Sequence, residues 1–142
     1  MLGWHVAKHG ARFEAIQALS MAVCQQFGHL CAGAARGLAL RHDHGSNFMA
    51  EHFQQQVRFW GIAPSHAFVG EPKTNGVIER LFRTLKEQIV HGRVFQTIDD
   101  LRDAVRDFVA HYNAEWLIEK NGFRSPIDAR AARLDTNLSR AA

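Results

Sequence analysis

Leu38-Ala39-Leu40 is a short, uninterrupted apolar run between Gly37 and the polar stretch Arg41-His42-Asp43-His44-Gly45-Ser46-Asn47. Such a run predicts a strand buried on both faces, the arrangement of parallel sheets covered by helices. It argues against an all-helical frame and for an α/β chain. Functional side chains recur at the carboxyl ends of strands in open α/β sheets, and Asp43 stands three residues past Leu40. His44-Gly45-Ser46-Asn47 has turn composition, so the strand delivers an aspartate into a turn.

The periodicities on either side fit that frame. Leu2–Val6 is apolar enough for a first strand, and Lys8-His9-Gly10 turns the chain. Phe13, Ile16, Leu19, Val23 and Phe27 recur at helical spacing over residues 12–27, with Gly28 as a C-terminal stop. Phe53, Val57 and Trp60 mark one side of a short helix. Gly61–Ser65 predicts a weak strand that Pro64 pushes to its end or to an edge. His66–Asn75, with Gly70 and Pro72, predicts a mobile loop.

Two further helices follow. From Gly76 to Val90, the residues Ile78, Leu81, Phe82, Leu85 and Ile89 share one broad face, by which the helix is expected to dock. Glu79, Arg83 and Lys86 fall within roughly 60° of one another on a neighbouring face if the 3.6-residue period holds. Thr97 and Asp100 have the spacing of an N-terminal capping pair. Ile98, Leu101, Val105, Phe108, Val109 and Tyr112 then continue an amphipathic helix, and an Ala/Arg-rich segment ends the chain.

Composition narrows the function class. The 142 residues amount to one domain's worth of chain, with 46% hydrophobic residues, a net charge of +3 and a pI near 9.2. This describes a globular protein whose charge permits a polyanionic partner. No apolar run approaches the ~18 residues of a membrane span, and no signal peptide is visible at Met1–His5. A cytoplasmic location is the expectation, with Cys24 and Cys31 as free or buried thiols.

Asp43 and Glu79 are the candidate catalytic and metal-ligating residues. A carboxylate at a strand mouth and another on a helix after a loop can converge on a hard divalent ion such as Mg²⁺, which takes few carboxylates. Paired ions of this kind promote phosphoryl transfer, and Arg83 and Lys86 beside Glu79 suit a DNA backbone. An aspartate in a turn can equally close an Asx turn or sit solvated. A calcium loop starting at Asp43 fails, because Gly45 and Gln54 stand where ligands are needed. A zinc site from His42, His44 and His52 has no evident fourth ligand. The arginines at 124, 130, 133 and 140 could bind DNA or be solvated charges; Tyr112 and Trp116 are expected to pack rather than stack on bases.

At this point the residues resemble a family. Arg41–Phe48 is similar to the segment around the second aspartate of the retroviral-integrase-like transposases of bacterial insertion sequences, and Asn75–Lys86 to their glutamate helix. The spacing of 35 residues between Asp43 and Glu79, and a lysine seven residues after the glutamate, match that family's signature. His111-Tyr112-Asn113 and Arg124-Ser125-Pro126 resemble its C-terminal end. The resemblance implies a ribonuclease-H-like integrase core followed by C-terminal helices. It implies DNA strand transfer with Mg²⁺ or Mn²⁺, acting on transposon ends and target DNA in a homo-oligomer of transposase chains. In that scheme Asp43 and Glu79 are metal ligands. Lys86, Arg83, Asn75 and Arg80 are the DNA-contacting candidates, Asn75 from the loop leading into the helix.

One departure shapes the expectation. The family uses three carboxylates, the first on the first strand of its sheet, whereas the only acid before Asp43 here is Glu14. The resemblance therefore implies a core lacking the first two strands, over residues 1–115, with a C-terminal tail over 116–142. It implies a chain inactive alone. The alternative is a non-catalytic DNA-binding or subunit-interaction chain that modulates an intact transposase.

Overall fold

Phe53, Val57 and Trp60 recur at spacings of four and three residues, and in the computed structural model they are 1%, 0% and 2% exposed. They line the inner face of α3 (Glu51–Phe59) and its last residue beyond. The structure describes residues 1–9, 13–66 and 76–141. Chain contacts divide these into two compact units, Leu2–Thr84 and Leu85–Ala142 with Met1.

In the first unit, α1 (Glu14–Phe27) adds Ile16 and Val23 to the core around α3, and Ala35 and Ile62 complete it. Gly28, at φ 76°, closes α1 with a left-handed cap whose N–H donates to the Cys24 carbonyl at 2.8 Å. The segment after α1 is stitched to the end of α3: Gly33 N–H donates to Phe59 O and Ala35 N–H to Trp60 O, both at 2.8 Å. Gly61 is required at this seam. Its φ is +77°, and a Cβ there would stand 3.2 Å from the Gly33 Cα and 3.3 Å from the Arg36 Cα.

β1 (Ala39–His42) leads into α2 (Ser46–Met49), and β2 (Ala63–His66) follows α3. β1 and β2 pair in parallel, with Leu40 opposite Pro64 and His42 opposite His66. Pro64 lies within the strand. Among the described residues the sheet has these two strands, so β2 is an edge, where a residue without N–H is tolerated.

Two sequence expectations are corrected here. β1 is not buried on both faces: Ala39 and Arg41 are exposed, Leu40 is half-buried, and His42 is its one buried residue. Leu38 is 50% exposed. Among the described residues β1 has a single strand neighbour, β2. Nor does Leu2–Val6 form a strand. It lies directly against α1, where a Cβ on Gly3 would stand 2.1 Å from the Ala18 carbonyl oxygen and 2.8 Å from the Ala22 nitrogen. An ion pair between His5 and Glu14 ties the same segment to α1.

α4 (Gly76–Leu85) runs to the end of the first unit, its last residue counted with the second, and Lys86–Val90 form a π-helical turn. Ile89 in that turn is buried and packs with α5 (Ile98–Ala114). α5 starts at a capping box: Asp100 N–H donates to the Thr97 hydroxyl at 3.1 Å, and Thr97 N–H to the Asp100 carboxylate at 2.9 Å. Phe108 stacks on Tyr112 at 5.7 Å, and Trp116 packs against both rings, so Tyr112 and Trp116 are packing residues as expected. Burial raises the Tyr112 hydroxyl above its ordinary pKa. α6 (Pro126–Ala141) begins with proline at its first position. The buried Ser125 hydroxyl accepts from Asp128 N–H at 3.2 Å and donates to its carboxylate at 2.7 Å. Among the described residues no helix is long and apolar enough to cross a membrane.

This packing sets expected stabilities. Phe53→Ala should cost about 3–5 kcal/mol, whereas Val94→Ala, at a side chain 95% exposed, should stay within about 0.5 kcal/mol in urea unfolding. Thr97→Ala should cost about 1 kcal/mol of cap stabilisation. The Thr97 backbone and side-chain hydrogen bonds hold the Asp100 carboxyl below its ordinary 3.8. A depressed carboxylate stabilises the fold above its unfolded value and loses that contribution as pH falls through the lower folded value. The stability difference between wild type and Asp100→Asn should therefore shrink on acidification below about 4, as read by urea midpoints across pH.

Candidate functional site

Asp43 is the first residue after β1, and it is exposed. Its Oδ1 accepts the Gly45 N–H at 2.8 Å, an Asx turn that aims the carboxylate from the strand end into the loop before α2. Gly45 leaves room for this: a Cβ there would stand 2.8 Å from Asp43 Oδ1.

Directly behind Asp43 lies a polar knot that sequence reading missed. The His42 Nδ1 is 2.7 Å from the Asp43 carbonyl oxygen, and its Nε2 is 3.2 Å from Gln54 Nε2. Gln54 Nε2 also donates to the Phe48 carbonyl at 2.7 Å. His42 and Gln54 are both buried. The His42 ring stacks on Phe48 at 5.6 Å and meets the edge of Phe53 at 6.0 Å. The one available signal was the position of Gln54 three residues before Val57, which places it on the buried face of α3.

A cavity of about 360 Å³ opens beside this knot, lined by Leu40, His42, Asp43, Phe48 and Phe53 and, from α4, by Ile78 and Phe82. Gly3, Arg41 and, from α1, Leu19 and three alanines form its remaining wall. Glu79 follows Ile78 directly, in the first turn of α4, and is exposed, as are Arg80 and Arg83. The apolar stripe of α4 is present but not buried: Ile78 and Phe82 are exposed, and Leu81 and Leu85 are half-buried. This corrects the expectation that the helix docks by that stripe. Ile89, the last member, is buried with α5 instead. Lys86 is exposed and lies in the π turn, so the 3.6-residue period stops one residue before it. Asn75 lies outside the described residues.

Among the described residues no group of three or more His, Cys, Asp or Glu side chains gathers as a metal cluster. The zinc alternative finds no support, since His42 is held in the polar knot and His52 packs edge-on against Phe13 at 4.6 Å. Glu14 is paired with His5. Asp43 and Glu79 are exposed carboxylates on the unit that holds the cavity, as is Glu51, which accepts from the Gln55 amide. Their hard oxygen donors fit Mg²⁺ or Mn²⁺ in kind, as these ions bind through one or two carboxylates and keep waters. Arg124, Arg130 and Arg133 are exposed in the second unit.

The fold is that of an integrase catalytic core. The core domain of bovine immunodeficiency virus integrase superposes with a TM-score of 0.54 over 90% of this chain and 76% of its own, at 20% identity. A simian T-cell lymphotropic virus intasome structure gives a TM-score of 0.58 over 79% of this chain and 37% of the viral one, at 17% identity. Both neighbours carry the ribonuclease-H-like architecture. The family described as "Integrase core domain" matches residues 60–117, the span that contains Glu79 and Lys86.

Sequence relatives sharpen the class. A transposase of insertion sequence element IS150 from Escherichia coli K12 is 30% identical over 91 residues, 64% of this chain and 32% of the relative. A transposase of insertion element IS2E from the same organism is 29% identical over 143 residues, 97% of this chain and 63% of the relative. The chain thus spans from about a third to less than two-thirds of the length of these relatives. Over these spans the chain is similar to transposases of bacterial insertion sequences that carry an integrase core.

The turn chemistry yields a prediction. Asp43→Asn keeps an oxygen acceptor for Gly45 N–H, so its thermal midpoint should match wild type. Gly45→Ala should displace the carboxylate instead, removing the hydrogen bond with little loss of stability. Amide hydrogen exchange at residue 45 separates the two: protection retained in Asp43→Asn and lost in Gly45→Ala.

Proposed function

We propose that this chain serves DNA transposition as part of a metal-dependent strand-transfer core, and that it does not carry out the reaction alone. The observation that supports this most directly is the shared cavity: Asp43 at the end of β1 and the Ile78–Phe82 side of α4 line one space. Glu79 sits beside Ile78 on that helix. Asp43 and Glu79 would hold Mg²⁺ or Mn²⁺, which when bound supplies activation of the attacking oxygen and charge stabilisation at the leaving one.

The remaining roles belong to the chain itself. Arg80 and Arg83, exposed on α4, offer cations to phosphate oxygens, and Lys86 offers another in the π turn. Asn75, the residue before α4 in sequence, would add a polar contact. The Asx turn at Gly45 orients the Asp43 carboxylate before any ion arrives. The kinship with transposases and with a viral intasome supports DNA as partner, transposon ends and target alike, and a homo-oligomer as the working form. A cytoplasmic location goes with this reading. The first of the family's three carboxylates finds no match among the residues before Asp43, where Glu14, the one acid, pairs with His5 on α1. Binding without turnover is therefore the behaviour of the isolated chain.

The test is a nicking assay on transposon-end DNA with Mg²⁺ or Mn²⁺. DNA binding without nicking is the expected result. Nicking that Asp43→Asn abolishes would show a self-sufficient site and sink the claim of inactivity alone. Absence of binding would sink the role in transposition. Lys86→Ala should weaken DNA binding and lower the slope of log K against log salt by about 0.9, one phosphate's worth of released counterions. An unchanged slope would count against a phosphate contact at Lys86.

A further inference from the structure

We infer that Gln54 is a positioning residue for Asp43, acting through the His42 ring and the Asp43 backbone. The inference rests on the proposal that Asp43 is a working carboxylate. Its argument comes from donor and acceptor chemistry. The Asp43 carbonyl only accepts, so the His42 Nδ1 at 2.7 Å must carry the hydrogen. The Phe48 carbonyl only accepts, so the Gln54 atom at 2.7 Å from it is the amide nitrogen, which only donates. That nitrogen is also 3.2 Å from His42 Nε2. The Nε2 must then accept, and the ring is the Nδ1–H tautomer.

Gln54 thus selects the tautomer whose free hydrogen is spent on the Asp43 carbonyl. A ring with the hydrogen on Nε2 would set two donors face to face at Gln54 and two acceptors face to face at Asp43. Stacking on Phe48 and the edge contact with Phe53 hold the ring plane in place. With its carbonyl held from behind, Asp43 presents its side chain outward to Gly45 N–H. One glutamine therefore joins α3, the last turn of α2 and the end of β1 around the candidate carboxylate. Outer partners of this kind typically change metal affinity by about 10- to 100-fold.

The experiment is ¹⁵N-resolved NMR of the full chain. Long-range ring spectra should show His42 as a single Nδ1–H tautomer. Gln54→Met keeps the volume and removes the donor. It should populate both tautomers, shift the Asp43 and Gly45 amide signals and reduce Gly45 exchange protection, while Trp60 and Val57 signals stay in place. An Nε2–H ring in wild type, or unmoved Asp43 and Gly45 signals in Gln54→Met, overturns the inference. A second pair guards against misfolding. His42→Asn keeps an amide donor near the Asp43 carbonyl, and its Asp43 and Gly45 signals should stay close to wild type, whereas those of His42→Leu should move. Equal displacement in both variants also overturns it. Titration with Mn²⁺ separates this from the metal reading. Broadening at Gly45 that Asp43→Asn abolishes should weaken roughly 10- to 100-fold in Gln54→Met. If Asp43→Asn leaves the broadening unchanged, the metal reading fails, and the tautomer and amide signals still decide the role of Gln54.

Discussion

The inner face of α3 is what the first unit depends on. Phe53, Val57 and Trp60 are almost fully removed from water, and each buried aromatic or branched side chain contributes about 1.5–3 kcal/mol of transfer free energy. The same packing determines where the backbone goes. Trp60 O and Phe59 O accept the N–H groups of Ala35 and Gly33, so burying the end of α3 also places the segment that enters β1. Gly61 permits this because its φ of +77° disfavours other residues and a Cβ would crowd the facing backbone. The parallel pairing of β1 with β2 then follows from where those two segments leave the core.

That arrangement explains why the candidate carboxylate is exposed while the residue before it is not. His42 is drawn into the core by Phe48, Phe53 and Gln54, and it ends β1 with its ring inward. Strand alternation then turns Asp43 outward. A carboxylate in the His42 position would carry a heavy desolvation cost without a paired charge. A histidine there meets a donor and an acceptor, one for each ring nitrogen. The cavity next to it is walled mainly by Leu40, Phe48, Phe53, Ile78, Phe82 and small residues of α1.

Much of the helical framework was legible in the residues. The stripe from Ile16 to Phe27 with Gly28 beyond, the triplet Phe53, Val57 and Trp60, and the capping pair Thr97 and Asp100 are local patterns. Each is decided by neighbours within four or five positions, and the structure forms all of them. The strand expectations fared less well because strand burial is not local. Leu38-Ala39-Leu40 reads as covered on both faces, yet coverage depends on what other segments pack there. Leu2–Val6 has strand composition and packs onto α1 without pairing, a choice made by Gly3 and the facing alanines. The helix from Gly76 was placed correctly, but its stripe splits: Ile78 and Phe82 are exposed and Ile89 is buried with α5.

By itself, the sequence pointed to the class of fold, an α/β integrase-like core, and singled out Asp43 and Glu79, with 35 residues between them. Motif spacing survives in a linear string because each motif's roles are carried by residues at set separations. Only the tertiary structure decided that Asp43 and the Ile78–Phe82 side of α4 share one cavity. Only it decided that Gln54, on a different helix, backs the aspartate through a histidine ring. Those relations join residues 11 to 39 positions apart. They are set by which apolar faces are buried together, a property no single segment contains.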